Sequence, residues 1–489
     1  MRKDIQTFLE GHRQKKPVSF HMPGHKGMEI FEENGYGSRL KHLADWDITE
    51  IRGADNLFQP ESIIAATMEK YRVLYGAKKT YLLINGSSAG IIASLLYAAG
   101  QKENSSIIVA RNSHKSVYNA LRLSGTRPVY VYPKMVQEYG VQGEITAGDV
   151  AEAMDKNPDA CAVILPSPNY YGICSDISSI ADAAHSRGKM LIVDQAHGAH
   201  LKFFSGRAQA GQELSFPPAA EEQGADMVIN STHKTLASFT QTAVLNVCSD
   251  SIDLADLEDR LQMIQSTSPS YPLMATLDMN ADLLRDKGEA LIGRWAENIK
   301  WFYEEASGIK GLGLMNVRGL DPTKINIDMS ECGFNGDELE DWLMDRNIFP
   351  ELVSGNIVMC MSGIGNKRED YIRLIDVLKE AASSSAKKTD MLSGPADTTR
   401  TTAEKPALDY SFTILEQVPV PARRKKAKLS EAAGKVCAGL LIPYPPGIPI
   451  ACPGEILTQE VIERIEEARA AGRKVIGVSP EMEVLVGTY

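Results

Sequence analysis

The fold is decided by a stretch that reads Thr80-Tyr81-Leu82-Leu83-Ile84-Asn85-Gly86-Ser87-Ser88-Ala89-Gly90. A short apolar strand ends there in a turn, and a helix follows over residues 91–99. The same alternation continues to Val247, with further strands predicted at 106–110, 128–132, 161–165, 190–193 and 226–229. Short apolar strands separated by helices predict an α/β fold whose mainly parallel sheet is covered on both faces.

The pattern changes after residue 250. Long helical stretches over 254–303, a strand at 324–327 and a helix at 337–345 predict a second, smaller α/β domain. A polar stretch with few apolar residues then predicts a linker, and a Pro-rich segment with a helix over 458–471 predicts a third unit. The expected organisation is an N-terminal segment 1–50, a large domain 51–265, a small α/β domain 266–382, a linker 383–406 and a C-terminal α+β domain 407–489.

Composition excludes several classes of protein. The 489 residues include 52 Lys+Arg and 63 Asp+Glu, a net charge of −11, which argues against nucleic acid as a partner. No apolar run approaches the roughly 18 residues of a membrane span, and the first residues lack the apolar core of a signal peptide. The seven cysteines form no C-x-x-C pair, so reduced thiols in a cytoplasmic protein are expected. The basic run 423–428 is interpreted as a solvated surface.

The turn Asn85-Gly86-Ser87-Ser88 opens a helix directly after a strand. Unpaired N–H groups at a helix start attract phosphate, and the two serines could add hydroxyl donors. Ser and Gly are equally typical of an ordinary N-cap and turn, so this motif alone leaves both interpretations open. The spacing of a P-loop is absent, and no G-x-G-x-x-G follows a strand.

Polar residues also follow the other predicted strands, where ligands of parallel sheets bind. His114 could stack on a planar ligand, Asp194 could pair with a protonated ring nitrogen, and His197 could bond a ring oxygen. Lys234, shielded at the sheet edge, could form a Schiff base. Taken singly, each could be a surface or capping residue, and His197 with His200 raises a metal site for which no further ligand set is evident. Together they are the parts needed to hold pyridoxal phosphate (PLP).

The sequence resembles the bacterial ornithine/lysine/arginine decarboxylases over nearly its whole length, in the short form of that family. The motifs that carry the resemblance are Phe20-His21-Met22-Pro23-Gly24-His25-Lys26-Gly27, Asn85 to Gly90, Arg111-Asn112-Ser113-His114-Lys115-Ser116, Asp194-Gln195-Ala196-His197-Gly198, Ser231-Thr232-His233-Lys234, Ser238-Phe239-Thr240-Gln241, Tyr444 to Pro449 and Pro453-Gly454-Glu455. The resemblance implies the aspartate-aminotransferase fold, PLP fold type I. Gln195 departs from the family pattern, where Glu is frequent, and leaves local charge and substrate preference in question.

The resemblance also implies which residues hold the cofactor: Ser87, Ser88, His114, Asp194, His197, Ser231, His233 and Lys234. Lys234 would form the Schiff base, His114 would stack on the ring, and Asp194 would pair with the ring nitrogen. The serines and His233 would contact the phosphate, and His197 would lie near the ring oxygen or the substrate. Lys234, His233, His197 and Asp194 are the expected catalytic residues, with the proton donor to Cα left open. No metal is expected.

The implied reaction is decarboxylation of a basic amino acid, first of all L-arginine to agmatine and CO2, a step of polyamine biosynthesis. Lysine or ornithine as substrate, an aminotransferase, a carbon–sulfur lyase and a non-catalytic regulatory protein on this fold are the alternatives. A long basic substrate needs a carboxylate at its far end, and Glu351 and Glu455 are the candidates. Enzymes of this fold complete their sites from a neighbouring subunit, so a homodimer or higher oligomer is expected.

Overall fold

A computed structural model describes residues 4–205, 214–391, 414–421, 423–444, 448–470 and 472–488 of the chain. Its centre is a seven-stranded sheet with the strand order Lys79–Leu83, Ala243–Val247, Met227–Asn230, Met190–Asp194, Ala160–Pro166, Ser106–Ala110 and Arg127–Val131. Neighbouring strands are parallel except around Ala243–Val247, which is antiparallel to both neighbours. The predicted mainly parallel sheet is confirmed.

The antiparallel strand Ala243–Val247 is absent from the sequence prediction. Only the short helix Thr232–Thr235 and a turn separate it from Met227–Asn230. The twelve connecting residues, 231–242, contain only that four-residue helix, which is too short to carry the chain back along the length of a strand as a parallel crossover requires. The chain therefore turns back antiparallel beside the strand it has just left.

Both faces of the sheet are covered because successive strand side chains point to opposite sides. In the strand Ser106–Ala110, Ile107 and Val109 enter one core, and Ile108 and Ala110 enter the other. The first core is covered by helices Gly86–Gly100, Lys115–Ser124 and Leu254–Ile264, and the second by Ala147–Lys156 and Ile177–His185.

The 37-residue helix Tyr271–Ser307 leads from the large domain into the small domain. The small domain has an antiparallel sheet, covered by helices Gly336–Asp345 and Arg368–Met391, with the strand order Gly313–Leu314, Lys324–Asp328, Ile357–Met361 and Leu352–Ser354. Trp295 on the long helix is buried in a core shared with this domain. The helix Arg368–Met391 extends into the predicted linker, and residues 392–406 lie outside the described ranges.

The C-terminal unit has its own core around the helix Gln459–Ala470, which buries Val461, Ile462, Ile465 and Ala468 as the helical spacing predicts. Strand Arg423–Lys428 pairs with Glu483–Thr488, and Ile442–Tyr444 pairs with Lys474–Ile476. The charged side chains of the basic strand are mostly exposed, in agreement with a solvated surface. Part of the Pro-rich motif, residues 445–447, lies outside the described ranges.

Other helices in the described part of the chain are Ile5–Gln14, Glu29–Glu33, Gly37–Leu40, Ile63–Tyr75 and Leu201–Phe204. Two small sheets pair Val18–Ser19 with Ile348–Phe349 and Met135–Val136 with Val141–Gln142. Among all the described helices, none combines the length and the apolar character needed to cross a membrane.

Candidate active site

A cavity opens where the carboxyl ends of the parallel strands meet. The residues that line it are Ser87, His114, Pro166, Pro168, Tyr170, Asp194, Ala196, His197 and Lys234. Five of them, Ser87, His114, Asp194, His197 and Lys234, are sequence-predicted site residues. The structure therefore brings together side chains that are up to 147 positions apart, because each follows a strand of the same sheet.

Lys234 projects into the cavity from the short helix Thr232–Thr235, directly after the strand Met227–Asn230. Its Nζ lies 2.9 Å from Nε2 of His197. Burial lowers the pKa of Lys234, against the opposing charges of Asp194 and Glu351. An amine with a lowered pKa is more often unprotonated at neutral pH, and the unprotonated amine is a good nucleophile toward an aldehyde.

Asp194 is the last residue of the neighbouring strand and is buried. Its Oδ1 accepts a hydrogen bond of 3.2 Å from the Ala196 N–H. Burial raises the pKa of Asp194, while the Lys234 charge acts in the opposite direction. A cation placed in the cavity would keep this carboxylate ionised.

His197 is buried and neutral, because burial and the Lys234 charge hold its pKa well below the usual range. When the Lys234 amine donates to Nε2, the remaining proton of the imidazole is on Nδ1. Nδ1 is buried and has no hydrogen-bond partner among the described residues. It is therefore a donor whose hydrogen bond no group in the described ranges accepts, and it remains available to a ligand. The Tyr170 ring lies beside it, with centroids 5.2 Å apart.

His114 is the N-cap of the helix Lys115–Ser124, and its Nδ1 accepts from the Ser116 N–H at 3.3 Å. Burial lowers the pKa of His114 to about 3, and the Lys234 charge adds to this, so its ring is neutral. A neutral, fixed ring at the cavity wall is suited to stacking on a planar ligand.

The start of the helix Gly86–Gly100 is fixed by the loop that follows Lys234. The Gly86 N–H donates to the Gln241 carbonyl at 2.8 Å, and Gln241 Nε2 donates to the Ile84 carbonyl at 2.7 Å. Gly86 has a φ of 75°, which glycine adopts without steric cost. The helix N-terminus at Ser87 is thus held at the cavity, where its N–H groups favour an anion.

Three predicted cofactor residues, Ser88, Ser231 and His233, do not line the cavity. The Ser231 hydroxyl is fully buried without a partner among the described residues, so it has hydrogen-bonding capacity left for a ligand oxygen. His233 Nδ1 donates to the Thr242 carbonyl at 2.7 Å, and burial lowers the pKa of His233 to about 4. His233 is therefore neutral and fixed by the loop of Thr242.

The N-terminal Pro-Gly-His-Lys-Gly motif packs against the Lys234 loop within the same chain. The Gly24 N–H donates to the His233 carbonyl at 2.8 Å, and a Cβ on Gly24 would lie 2.4 Å from the Thr235 carbonyl carbon. Lys26 Nζ donates to the carbonyls of His21 and Met361. The motif thus connects the Lys234 loop to the small domain.

The two predicted substrate carboxylates occupy different environments. Glu351 Oε2 accepts from the Met22 N–H at 2.9 Å, and its charge acts on Lys234, although it does not line the cavity. Burial raises the pKa of Glu351. Glu455 is 1% exposed, and Arg111 binds both of its oxygens, with distances of 3.1 Å from Nε and 3.0 Å from Nη2. The Glu455 carboxylate is therefore occupied by the contact between the C-terminal unit and the large domain.

Four cavity residues were missed by the sequence analysis: Pro166, Pro168, Tyr170 and Ala196. Three belong to the segment Pro166-Ser167-Pro168-Asn169-Tyr170, which follows directly from the strand Ala160–Pro166. The rule that ligand-binding residues follow the strands of a parallel sheet applies to this strand end as well, and it would have indicated Tyr170.

Gln195 is directed away from the cavity. Its Nε2 donates to Glu221 Oε2 at 2.8 Å and to Asn230 Oδ1 at 2.9 Å, and its Oε1 accepts from the Ala220 N–H at 2.7 Å. A glutamate at 195 would place a second carboxylate against Glu221. The amide at position 195 therefore suits this chain because it can donate a hydrogen bond to the Glu221 carboxylate, which a glutamate could not do when ionised.

No cluster of His, Cys, Asp or Glu among the described residues could hold a metal ion. His200 instead bonds Thr235 and Asp321. The orphaned Ser231 hydroxyl and His197 Nδ1, together with the Asp194 carboxylate, fit the phosphate and polar ring atoms of PLP.

The sheet and the lysine at its edge define the class: an amino-acid-transforming enzyme of PLP fold type I. The chain belongs to the Orn/Lys/Arg decarboxylase family, whose major-domain model matches residues 5–318 and whose C-terminal-domain model matches residues 403–487. It is a PLP-dependent amino-acid decarboxylase that acts on a basic amino acid.

Three similar proteins illustrate the family. An arginine decarboxylase of Bacillus subtilis (strain 168) is 30% identical over 488 residues, which cover 97% of this chain and 95% of the relative. A lysine decarboxylase of Pseudomonas aeruginosa is 21% identical and covers 98% of this chain and 77% of the relative. The crystal structure of a Francisella novicida lysine decarboxylase has a TM-score of 0.74 at 19% identity, covering 95% of this chain and 78% of that one. This likeness confirms the predicted fold.

Proposed function

We propose that this protein converts L-arginine to agmatine and CO2, with PLP bound to Lys234. The observation that carries the proposal is the half-buried Lys234 side chain, which lines a cavity together with Asp194 and places its amine 2.9 Å from His197 Nε2. Arginine is favoured over lysine because the named arginine decarboxylase is 30% identical along nearly all of the chain, against 21% for the named lysine decarboxylase.

The cofactor supplies an electron sink for the pair of electrons left when CO2 departs. The helix start at Ser87 and the buried Ser231 hydroxyl would hold its phosphate, and the neutral His114 ring would cover its ring. Asp194 would keep the ring nitrogen protonated, which strengthens the sink. The positive charge of the protonated ring nitrogen would in turn keep Asp194 ionised, although burial raises the pKa of that carboxyl group.

The proton that returns to Cα is best supplied by the Lys234–His197 pair. Their 2.9 Å contact lets a proton pass between Nζ and Nε2, and both atoms lie at the cavity. His233 is less suitable, because its Nδ1 proton is engaged by the Thr242 carbonyl and its side chain does not line the cavity. We therefore assign His233 a supporting role beside the cofactor.

Glu351 is our candidate for the far end of the substrate. Burial raises its pKa, so a guanidinium beside it would gain a charged hydrogen bond and keep the carboxylate ionised. Changing Glu351 to Gln should lower kcat/KM for arginine about 10- to 100-fold, as expected for a lost hydrogen bond between charged groups. Binding of PLP should not change. The exposed Glu331→Gln is the matched control.

The test of the function is incubation of the PLP-loaded protein with arginine, lysine or ornithine, each without a 2-oxo acid. Agmatine and CO2 should form fastest from arginine, and Lys234→Ala should abolish the product. Cadaverine or putrescine as the faster product would replace arginine with lysine or ornithine. Turnover that requires a 2-oxo acid and releases no CO2 would contradict decarboxylation.

A further inference from the structure

A buried ionic cluster outside the cavity joins the small domain to the two segments that carry Lys234 and His197. The cluster consists of His200, Asp321 and Lys324, and all three side chains are fully buried. Asp321 Oδ2 lies 3.1 Å from His200 Nε2 and 3.3 Å from Lys324 Nζ. Nothing in the function proposed above uses these groups.

Each end of the cluster reaches a segment of the site. Lys324 Nζ donates to the His197 carbonyl at 3.0 Å, and the side chain of the same His197 contacts the Lys234 amine. His200 Nδ1 lies 3.1 Å from Oγ1 of Thr235, the residue after Lys234. Removing one partner of a buried ion pair leaves an uncompensated buried charge, so each of these charged groups depends on the other.

We propose that Asp321 and Lys324 are positioning residues for the reaction: they fix the His197 main chain under the Lys234 amine and set the charge around that amine. The proposal rests on the role of Lys234 given above. The charged and titratable groups that face Lys234 are Asp194, Glu351, Lys324, His114, His197 and His233.

The directions of the charges support the proposal. Lys324 contributes to lowering the pKa of Lys234, after burial, and also lowers the pKa of His197. Burial alone would raise the pKa of Asp321, but His200 and Lys324 hold it well below its usual range, so Asp321 is ionised. Asp321 therefore limits the positive charge that Lys324 presents to the site.

Two substitutions of similar size separate this role from a merely structural one. Lys324→Met removes a cation that lowers the pKa of the Lys234 amine, so that pKa should rise. Asp321→Asn leaves the Lys324 cation without its anion, so the same pKa should fall. Simple loosening of the fold would expose Lys234 in both variants and raise its pKa in both.

The measurement is the rate at which Lys234 is acylated in the cofactor-free protein as a function of pH, by peptide mass spectrometry. The pH midpoint of the visible band of bound PLP in the loaded protein is the second readout. Lys70→Met is the matched control, because Lys70 bridges Asp278 and Asp282 at 2.7 and 2.8 Å and does not face Lys234. The double variant Asp321→Asn/Lys324→Met, which leaves no unpaired charge between these residues, should lie near the wild-type midpoint.

Opposite shifts in the two single variants, with none in the control, would support the proposal. Shifts in the same direction, a shift in only one variant, or no shift beyond the control would overturn it. Failure of the proposed function would be seen differently. If Lys234→Ala kept the visible band of bound PLP, the assignment of Lys234 as the cofactor lysine would be wrong. If that band were lost in Lys234→Ala but its pH midpoint did not move in the Asp321 and Lys324 variants, only the positioning role would be wrong.

Discussion

Gln195→Glu is the substitution whose effect on the free energy of unfolding follows most directly from the structure. Gln195 is 1% exposed, and its amide nitrogen donates to the Glu221 carboxylate and the Asn230 side chain. A carboxylate there loses both donor contacts and faces Glu221 at hydrogen-bond distance. Two lost hydrogen bonds at roughly 1 kcal/mol each, with like-charge repulsion added, should lower the free energy of unfolding by about 2–4 kcal/mol.

The cost should depend on pH in a defined direction. Burial already raises the pKa of Glu221 against its hydrogen bonds to Asn246, Gln195 and Asn230. A second acid would raise the folded-state pKa of the pair further above the unfolded value. The penalty should therefore be small near pH 5 and grow as the pH rises through the folded-state pKa.

The assay is urea unfolding of the cofactor-free protein at pH 5.5 and 8, for Gln195→Glu, Glu221→Gln and the double variant. The double variant restores one acid and one amide, so it should recover most of the stability that Gln195→Glu loses at pH 8. Wild-type stability of Gln195→Glu at pH 8, or a double variant no more stable than Gln195→Glu, would refute the account of this contact.

Three further changes test other parts of the structure. Glu455→Gln should lower the free energy of unfolding, measured in urea, by about 3–5 kcal/mol, because the Arg111 cation stays buried without its anion. The preference among basic substrates should not change. An altered preference at full stability would place Glu455 in the substrate site. Asp194→Asn should lower kcat at least tenfold, or ~1.4 kcal/mol, without destabilising the cofactor-free protein, and unchanged kcat in steady-state assays would remove Asp194 from the site. Gly24→Ala should destabilise the protein by about 1–3 kcal/mol in urea unfolding, since its Cβ would overlap the Thr235 main chain, whereas Gly11→Ala, with open space around it, should not; equal stability of the two would contradict that packing.

The sequence predicts the cavity well because the responsible pattern is local. Each of Ser87, His114, Asp194 and Lys234 lies at or shortly after the end of its own strand, and parallel strands bring those ends to one edge of the sheet. Tyr170 obeys the same rule and could have been found in this way.

The contacts that support the site could not be predicted from the sequence in the same way. Arg111 and Glu455 are 344 residues apart, and each stands in a motif whose other residues suggest a different role. The pairing of His200 with Asp321 crosses from the large to the small domain, and that of Gln195 with Glu221 joins a strand end to a loop. Such pairs depend on how separate elements pack, and no periodicity or spacing along the chain encodes them.

The lysine that carries the cofactor can be located in one measurement. Borohydride reduction of the PLP-loaded protein, followed by protease digestion and mass spectrometry, should place the pyridoxyl group on the peptide that contains Lys234. Modification of Lys26 or Lys324 instead, two lysines whose charges act on the groups around the site, would contradict the assignment on which the proposed reaction depends.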